Sequence, residues 1–265
     1  MRIGLFVVGD EILSGKRQDR HLPKVIDLLK QRGCELAWAR FLGDDEATLA
    51  RAIATAHADG DLLLCCGGIG ATPDDRTRQA AARAFGVPIR RHAEAEAVIL
   101  EQYGEAARPN RVLMADFPEG AGLIPNPVNR VAGFYVGHCH FVPGFPEMAW
   151  PMLEWVLDVR YPHLRNAVPP SEYRLRVVGT SGEGDLLPLM EDTLRRWPAI
   201  KLSSLPSRGA PDRPRHIEFG FKGPQDDAAA AYAGFLAGLV AFPDLQIEAL
   251  AEPPTLRGGA PAAAS

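Results

Sequence analysis

No apolar stretch in this sequence approaches the length of a membrane span, so the chain is not expected to have a membrane partner. A signal-peptide pattern is also missing, because Met1-Arg2-Ile3 leads straight into a strand-like run. Basic residues are not in excess. With 29 Lys and Arg against 33 Asp and Glu, the net charge of −4 argues against a nucleic-acid surface spread over the chain. The four cysteines offer no disulfide or metal framework. Cys65 and Cys66 adjoin in a strand-like run, where they pack as small hydrophobes, Cys34 falls in a turn, and Cys139 lies between His138 and His140. A reducing cytoplasm is therefore the expected location. No internal repeat is present. What is there is length: 265 residues suffice for one large or two modest domains.

The chain is organised around Leu62 to Asp75, LLLCCGGIGATPDD. Leu62 to Cys66 does not alternate with polar residues, as expected of a strand buried on both faces. Gly67, Gly68 and Gly70 form the turn that follows, where missing Cβ atoms let backbone amides approach a ligand. Thr72, Pro73, Asp74 and Asp75 precede a helix-like run from Arg76 to Phe85. Strand, glycine turn and helix start together aim amides at a phosphate. Two carboxylates there would repel a bare phosphate, which points to a metal ion, a hydroxyl-rich ligand or proton transfer. The alternative is a tight turn whose acids favour the helix dipole by about 0.3–1 kcal/mol each.

Ile3 to Val8 is a first buried strand, ending at Gly9, Asp10 and Glu11. A polar loop from Leu13 to Arg20 leads to a helix around Pro23 to Arg32, closed by Gly33. A strand from Leu36 to Leu42 and a helix from Glu46 to His57 follow, the latter opened by Gly43-Asp44-Asp45. Strands alternating with helices at this spacing predict a parallel sheet with crossover helices, and ligands collect at the carboxyl ends of such strands. Further helices are expected from His92 to Tyr103 and from the Pro143–Glu147 turn to about Val159, where Phe145, Trp150 and Trp155 pack as a helix face. Between them a hairpin of Val131 to Val136 and Cys139 to Val142 turns at Gly137-His138. Residues 161–171 read as a linker. Beyond it, strands at Tyr173 to Val178, Ile200 to Leu205 and His216 to Phe221 join helices at Leu186 to Arg196 and Ala228 to Val240 in a small α+β unit. An Ala-, Pro- and Gly-rich tail is expected to be disordered.

Three separated motifs, GDEILSG (Gly9 to Gly15), GGIGATPDD (Gly67 to Asp75) and PGFPEMAWPML (Pro143 to Leu153), resemble the molybdopterin-binding MoaB/Mog-like family. They are most similar to its branch at the N-terminus of competence/damage-inducible CinA proteins. The resemblance implies a three-layer α/β/α sandwich with a mostly parallel sheet over residues 1–160, followed by a small α+β KH-like domain at 172–250 and a tail at 251–265. It also implies a ligand pocket lined by Gly9, Asp10, Glu11, Gly67, Gly68, Gly70, Thr72, Asp74, Asp75, Gly144, Pro146 and Glu147. A dimer or trimer is implied as well. Departures exist: Val8 stands where relatives often carry Thr, Ile69 lies between the glycines, and the Asn that often follows the Asp19 region is absent. CinA proteins continue into a deamidase domain that this sequence does not contain, so deamidase activity is not expected.

Two classes of function follow. One is a binding protein of molybdenum-cofactor metabolism that holds a pterin or nucleotide phosphate in the glycine loops. The other is a metal-dependent pyrophosphatase acting on ADP-ribose or FAD, in which Asp10, Asp74 and Asp75 carry Mg²⁺ or Mn²⁺ and are catalytic. A catalytically silent ligand-binding protein is a third. His138 and His140 are expected at a hairpin surface rather than on a metal. His21 reads as a site residue or a solvated helix start, and Arg76 and Arg78 as phosphate contacts or surface ion pairs. Gly179 to Gly182 fits the G-x-x-G pattern of an RNA-binding loop, but Glu183 and Asp185 would repel a phosphate backbone, so a plain turn is expected. Val in place of Gly68 is expected to block the ligand while sparing the fold.

Overall fold

A computed structural model describes residues 1–165, 170–179, 182–210, 214–242 and 244–253. The chain divides into two units, Met1–Ala167 and Val168–Ser265.

The first unit opens with β1 (Ile3–Val8), a short α1 (Asp10–Leu13), α2 (His21–Lys30), β2 (Trp38–Leu42), α3 (Glu46–Ala58) and β3 (Leu62–Cys66). It continues with α4 (Thr77–Phe85), β4 (Ile89–Arg91), α5 (Ala93–Tyr103), β5 (Asp116–Pro118), β6 (Gly122–Ile124), β7 (Gly133–Val136), β8 (Cys139–Val142) and α6 (Pro146–Trp155). The main sheet runs β2-β1-β3-β8-β7-β6, while β4 and β5 pair apart from it. Neighbours from β2 to β8 are parallel, and β7 and β6 are antiparallel additions at one edge.

Both faces of this sheet are buried, which explains the unalternating apolar runs. Phe6, Val8, Leu63 and Cys65 face one core with Leu49 and Ile53 of α3. Ile3, Leu5, Val7, Leu62, Leu64 and Cys66 face the other with Val25 and Leu29 of α2 and Leu153 of α6. Successive side chains thus alternate between two helical layers, a three-layer α/β/α sandwich. Asp45 caps α3 by accepting from the Thr48 amide at 2.8 Å. Gly4 leaves room for the Trp38 ring, since a Cβ there would lie 2.0 Å from it. The Trp38 indole in turn donates to the buried Asp61 carboxylate at 2.8 Å.

The segment expected to be a linker begins inside this unit. Tyr161 is buried in the second core, and Pro162–Leu164 makes a 3₁₀ turn. The predicted helix to Val159 is regular only to Trp155, after which a wider π-type turn carries Val156–Arg160. Two short strands, β5 and β6, occupy the Pro- and Gly-rich region that precedes the hairpin.

The second unit comprises β9 (Ser171–Val178), α7 (Leu187–Arg196), β10 (Lys201–Ser207), β11 (His216–Gly223), α8 (Gln225–Leu239) and β12 (Gln246–Ala251). Its sheet, β10-β11-β9-β12, is antiparallel throughout. Leu175, Val177, Phe219 and Phe221 pack on Phe235 and Leu239 of α8. β12 was not expected from the sequence, because most of its side chains are exposed and no apolar alternation marks it. Most of the expected tail lies outside the described residues, as do Thr180 and Ser181 of the G-x-x-G stretch. Among the described residues, no helix is long and apolar enough to cross a membrane.

Candidate functional site

A cleft of about 510 Å³ opens at the carboxyl ends of β1, β3 and β8. The loop after β3 forms its floor. Gly67 has φ +111 and would place a Cβ 2.3 Å from the Val8 carbonyl oxygen, so the turn requires glycine there. Gly68 has φ +71, and its Cβ would lie 2.3 Å from the Thr77 hydroxyl. That hydroxyl donates to the Gly67 carbonyl at 3.0 Å, and the Thr77 amide donates to the Gly68 carbonyl at 3.0 Å. The buried Arg78 guanidinium donates to the carbonyls of Gly70, Leu113 and Asp116.

The loop's carbonyls are therefore held by Thr77 and Arg78. Its amides are left over: among the described residues, those of Gly68, Ile69, Gly70 and Ala71 reach no protein acceptor. Consecutive unpaired amides of this kind form a concave anion site. The Thr72 amide and hydroxyl both bond the Asp75 carboxylate, which closes the loop, the amide at 2.9 Å.

An acidic wall of Glu11, Asp44, Asp74 and Asp75 lines the same cleft. Asp44 sits at its hub. The Asp10 amide donates to the Asp44 carboxylate at 3.0 Å, and the Asp44 amide donates back to Asp10 at 3.3 Å. Partial burial pushes the Asp44 carboxyl above the usual range, and the nearby charges of Asp10, Glu11 and Asp74 push it the same way. Among the described residues no three His, Cys, Asp or Glu side chains are arranged to hold a metal ion. Asp10, Asp74 and Asp75 thus form no ready-made cage. The wall does fit magnesium in its usual mode, held by one or two carboxylates with water and ligand phosphates completing the shell.

Gly9, Glu11, Gly67, Gly68, Gly70, Thr72, Asp74, Asp75 and Gly144 all line the cleft. The Asp10 carboxylate turns instead toward Gly43 and Asp44, Pro146 lines an adjoining cleft, and Glu147 lines neither. Sequence reasoning missed Asp44, Arg17, Asn126, Asn129 and Met148, all on the cleft wall. Asp44 could have been found by the rule that found Asp10, since it follows β2. Asn126 is a buried turn residue that donates to Asn129 at 2.7 Å and to the Val131 carbonyl at 3.0 Å, a contact that no local motif announces.

Several expectations need correction. Phe145 does not pack into a helix face; it is 50 % exposed on the cleft wall, whereas Trp150 and Trp155 do pack on the core. His21 is not a solvated helix start. It is buried, and its Nε2–H donates to the Gly144 carbonyl at 3.1 Å, which leaves Nδ1 as an acceptor. Burial lowers its pKa. Arg78 is neither a phosphate contact nor a surface ion pair, because all its hydrogen bonds go to backbone carbonyls; Arg76 is exposed. His138 is exposed at the hairpin, but His140 is fully buried, with Nδ1 donating to the Leu63 carbonyl at 3.3 Å and Nε2 accepting from Arg160 at 3.2 Å.

A family model described as "Probable molybdopterin binding domain" matches residues 4–165. A CinA-like protein of Anaeromyxobacter dehalogenans (strain 2CP-1) is 35% identical over 165 residues, 59% of this chain and 40% of that protein. A CinA-like protein of Geobacter sp. (strain M21) is 33% identical over 214 residues, 77% of this chain and 50% of that protein. The matches thus span half or less of these relatives. A crystal structure of the protein CinA with unknown function from Thermoplasma acidophilum superposes with TM-score 0.55 at 28% identity, covering 60% of this chain and 98% of that one.

Proposed function

Because the chain belongs to the family of that molybdopterin-binding domain, we propose that its cleft binds a small phosphate-bearing ligand, a pterin phosphate or a nucleotide, on the amides of the glycine loop. The observation that carries this reading is the row of unpaired amides from Gly68 to Ala71 at the mouth of β3. Phe145 and Met148 add an apolar wall against which a planar ring can lie. Ligand binding would raise the unfolding midpoint with occupancy. A thermal-shift screen of molybdopterin, AMP, ADP-ribose and FAD, with and without magnesium, tests it. A shift with at least one compound is expected, and no shift with any of them contradicts the reading.

The acidic wall favours a second step on the same site. Four carboxylates lining the cleft would repel a bound diphosphate; burial first, and then the charges of Asp10, Glu11 and Asp74, already raise the Asp44 pKa. Magnesium or manganese held by Asp44 and Asp74 would supply the missing positive charge and polarise a phosphoanhydride. Hydrolysis then breaks one bridging P–O bond and forms one P–O bond from water, whose two protons leave with the two phosphate products. Asp75 is tied to Thr72 and shapes the loop, while the Glu11 carboxylate has no hydrogen-bond or ion-pair partner among the described residues and is placed to take a proton from that water. Release of AMP from ADP-ribose by wild-type protein with magnesium, abolished by chelator, is the expected result. Tight ligand binding without turnover would leave the chain a carrier or sensor.

A further inference from the structure

Beside the main cleft lies a second one of about 420 Å³, which shares Val8, Glu11, Arg17 and Gly144 with it. The two adjoin across the loop after α1, whose Arg17 amide donates to the Glu11 carbonyl at 3.0 Å. The second cleft differs in charge. Arg17 and Arg20 line it and make no ion pair among the described residues, Arg20 lying 5.4 Å over the Trp150 ring. The Asp19 carboxylate, also on its wall, is already occupied, because it accepts from the amides of His21 at 2.8 Å and Leu22 at 3.0 Å. His21 forms the back of the cleft. It is 5 % exposed, and its Nδ1, an acceptor once Nε2 donates to Gly144, has no partner.

Two uncommitted guanidinium groups suit a phosphate, and a buried ring nitrogen that lacks a donor suits a hydroxyl. We propose that this second cleft is a subsite for a phosphorylated sugar, so that a ligand fills both lobes with its two phosphates astride Arg17. The phosphate in the main cleft meets the glycine-loop amides. The next one along meets Arg17 and Arg20, and the sugar beyond it meets His21. Arg17 then supplies positive charge at the point where the two phosphates join, opposite the acidic wall. This inference rests on the phosphate reading of the glycine loop and specifies what lies beyond it.

Calorimetric titration in magnesium buffer with two probes tests it. AMP fills one lobe only. The methylene-bridged analogue of ADP-ribose, which cannot be cleaved, reaches both. Wild type should bind the analogue at least tenfold tighter than AMP. The variant Arg20→Gln, altered at an exposed position that lines the second cleft and not the main one, should lose most of that tenfold advantage and keep AMP affinity within twofold, with its unfolding midpoint unchanged. Ribose 5-phosphate should compete with the analogue more strongly than it competes with AMP. Equal weakening of both probes, or a retained preference for the analogue, overturns the subsite while leaving the glycine-loop reading intact. Failure of the wild type to bind either probe overturns both.

Discussion

Two one-methyl changes in the walls of the cleft, Gly144→Ala and Gly68→Ala, are predicted to separate ligand binding from stability. At Gly144 the new Cβ meets only the Gly67 Cα, at 3.4 Å, an ordinary contact, and the backbone is not in the left-handed region. Such a Gly→Ala change typically stabilises by about 0.4–1 kcal/mol through the unfolded chain. The methyl group otherwise projects into open space beside both clefts, where the ligand is proposed to lie. At Gly68 the change meets a backbone at φ +71 and a hydroxyl at 2.3 Å. The left-handed conformation costs roughly 1–2 kcal/mol for a residue with a Cβ. Displacing the Thr77 hydroxyl from the Gly67 carbonyl costs about 1 kcal/mol more. The sum, about 2–3 kcal/mol, lowers the midpoint of a unit this size by roughly 4–12 °C. Val at position 68, expected from sequence to leave the fold largely intact, meets the same φ and the same Thr77 hydroxyl and should carry at least this cost. Thermal unfolding and AMP titration in magnesium are the assays. Gly144→Ala should melt at or slightly above the wild-type midpoint and bind AMP about tenfold more weakly. Wild-type affinity in Gly144→Ala, or a midpoint that falls as far as that of Gly68→Ala, would refute the reasoning.

Arg78→Met should cost about 2–4 kcal/mol, because the carbonyls of Gly70, Leu113 and Asp116 lose their donor together, and denaturant unfolding measures the loss. For Asp44 the folded pKa lies above its unfolded value of about 3.9, so stability is greatest below that value and falls as pH rises through the folded pKa. Asp44→Asn should therefore raise the midpoint at pH 7 but not at pH 3, and should reduce stabilisation by magnesium; an equal gain at both pH values would contradict the charge account. His140 shows the opposite sign. Burial and then Arg160 push it down to about 3, with His138, Tyr135 and Tyr161 around the ring, so stability is lost as pH falls from about 6.5 toward 3. The first unit's stability should fall by up to about 1.4 kcal/mol per pH unit in that window, and His140→Gln should flatten the slope in a pH series of urea melts.

The β1 and β3 runs were legible because a strand buried on both faces carries apolar or small side chains throughout, whereas β8 holds the fully buried His140, which reads from sequence as a hairpin-surface residue. Gly67 and Gly68 were legible because their backbone geometry and close contacts admit little else. The acids that follow strands were legible in part. Asp10 was found and Asp44 was not, since Gly43-Asp44-Asp45 also reads as a helix opening and Asp45 does cap α3. Arg78 was misread because its partners are carbonyls as much as 38 residues away in sequence, and nothing local distinguishes such an arginine from a surface one. The burial of His21 depends on the Gly144 carbonyl 123 residues further on, a contact that exists only once the sheet is assembled. β12 stayed hidden for a different reason: an exposed edge strand draws its stability from the ladder to β9 rather than from an apolar face.

The most direct test of the glycine-loop site is an amide-resolved NMR titration of the full chain with AMP in magnesium buffer. The account predicts saturable downfield shifts at Gly68, Ile69, Gly70 and Ala71, as their free N–H groups take up phosphate oxygens, with the amides of β9 to β12 unmoved. Saturable binding that leaves these four amides unshifted, or that shifts the second unit instead, would contradict it.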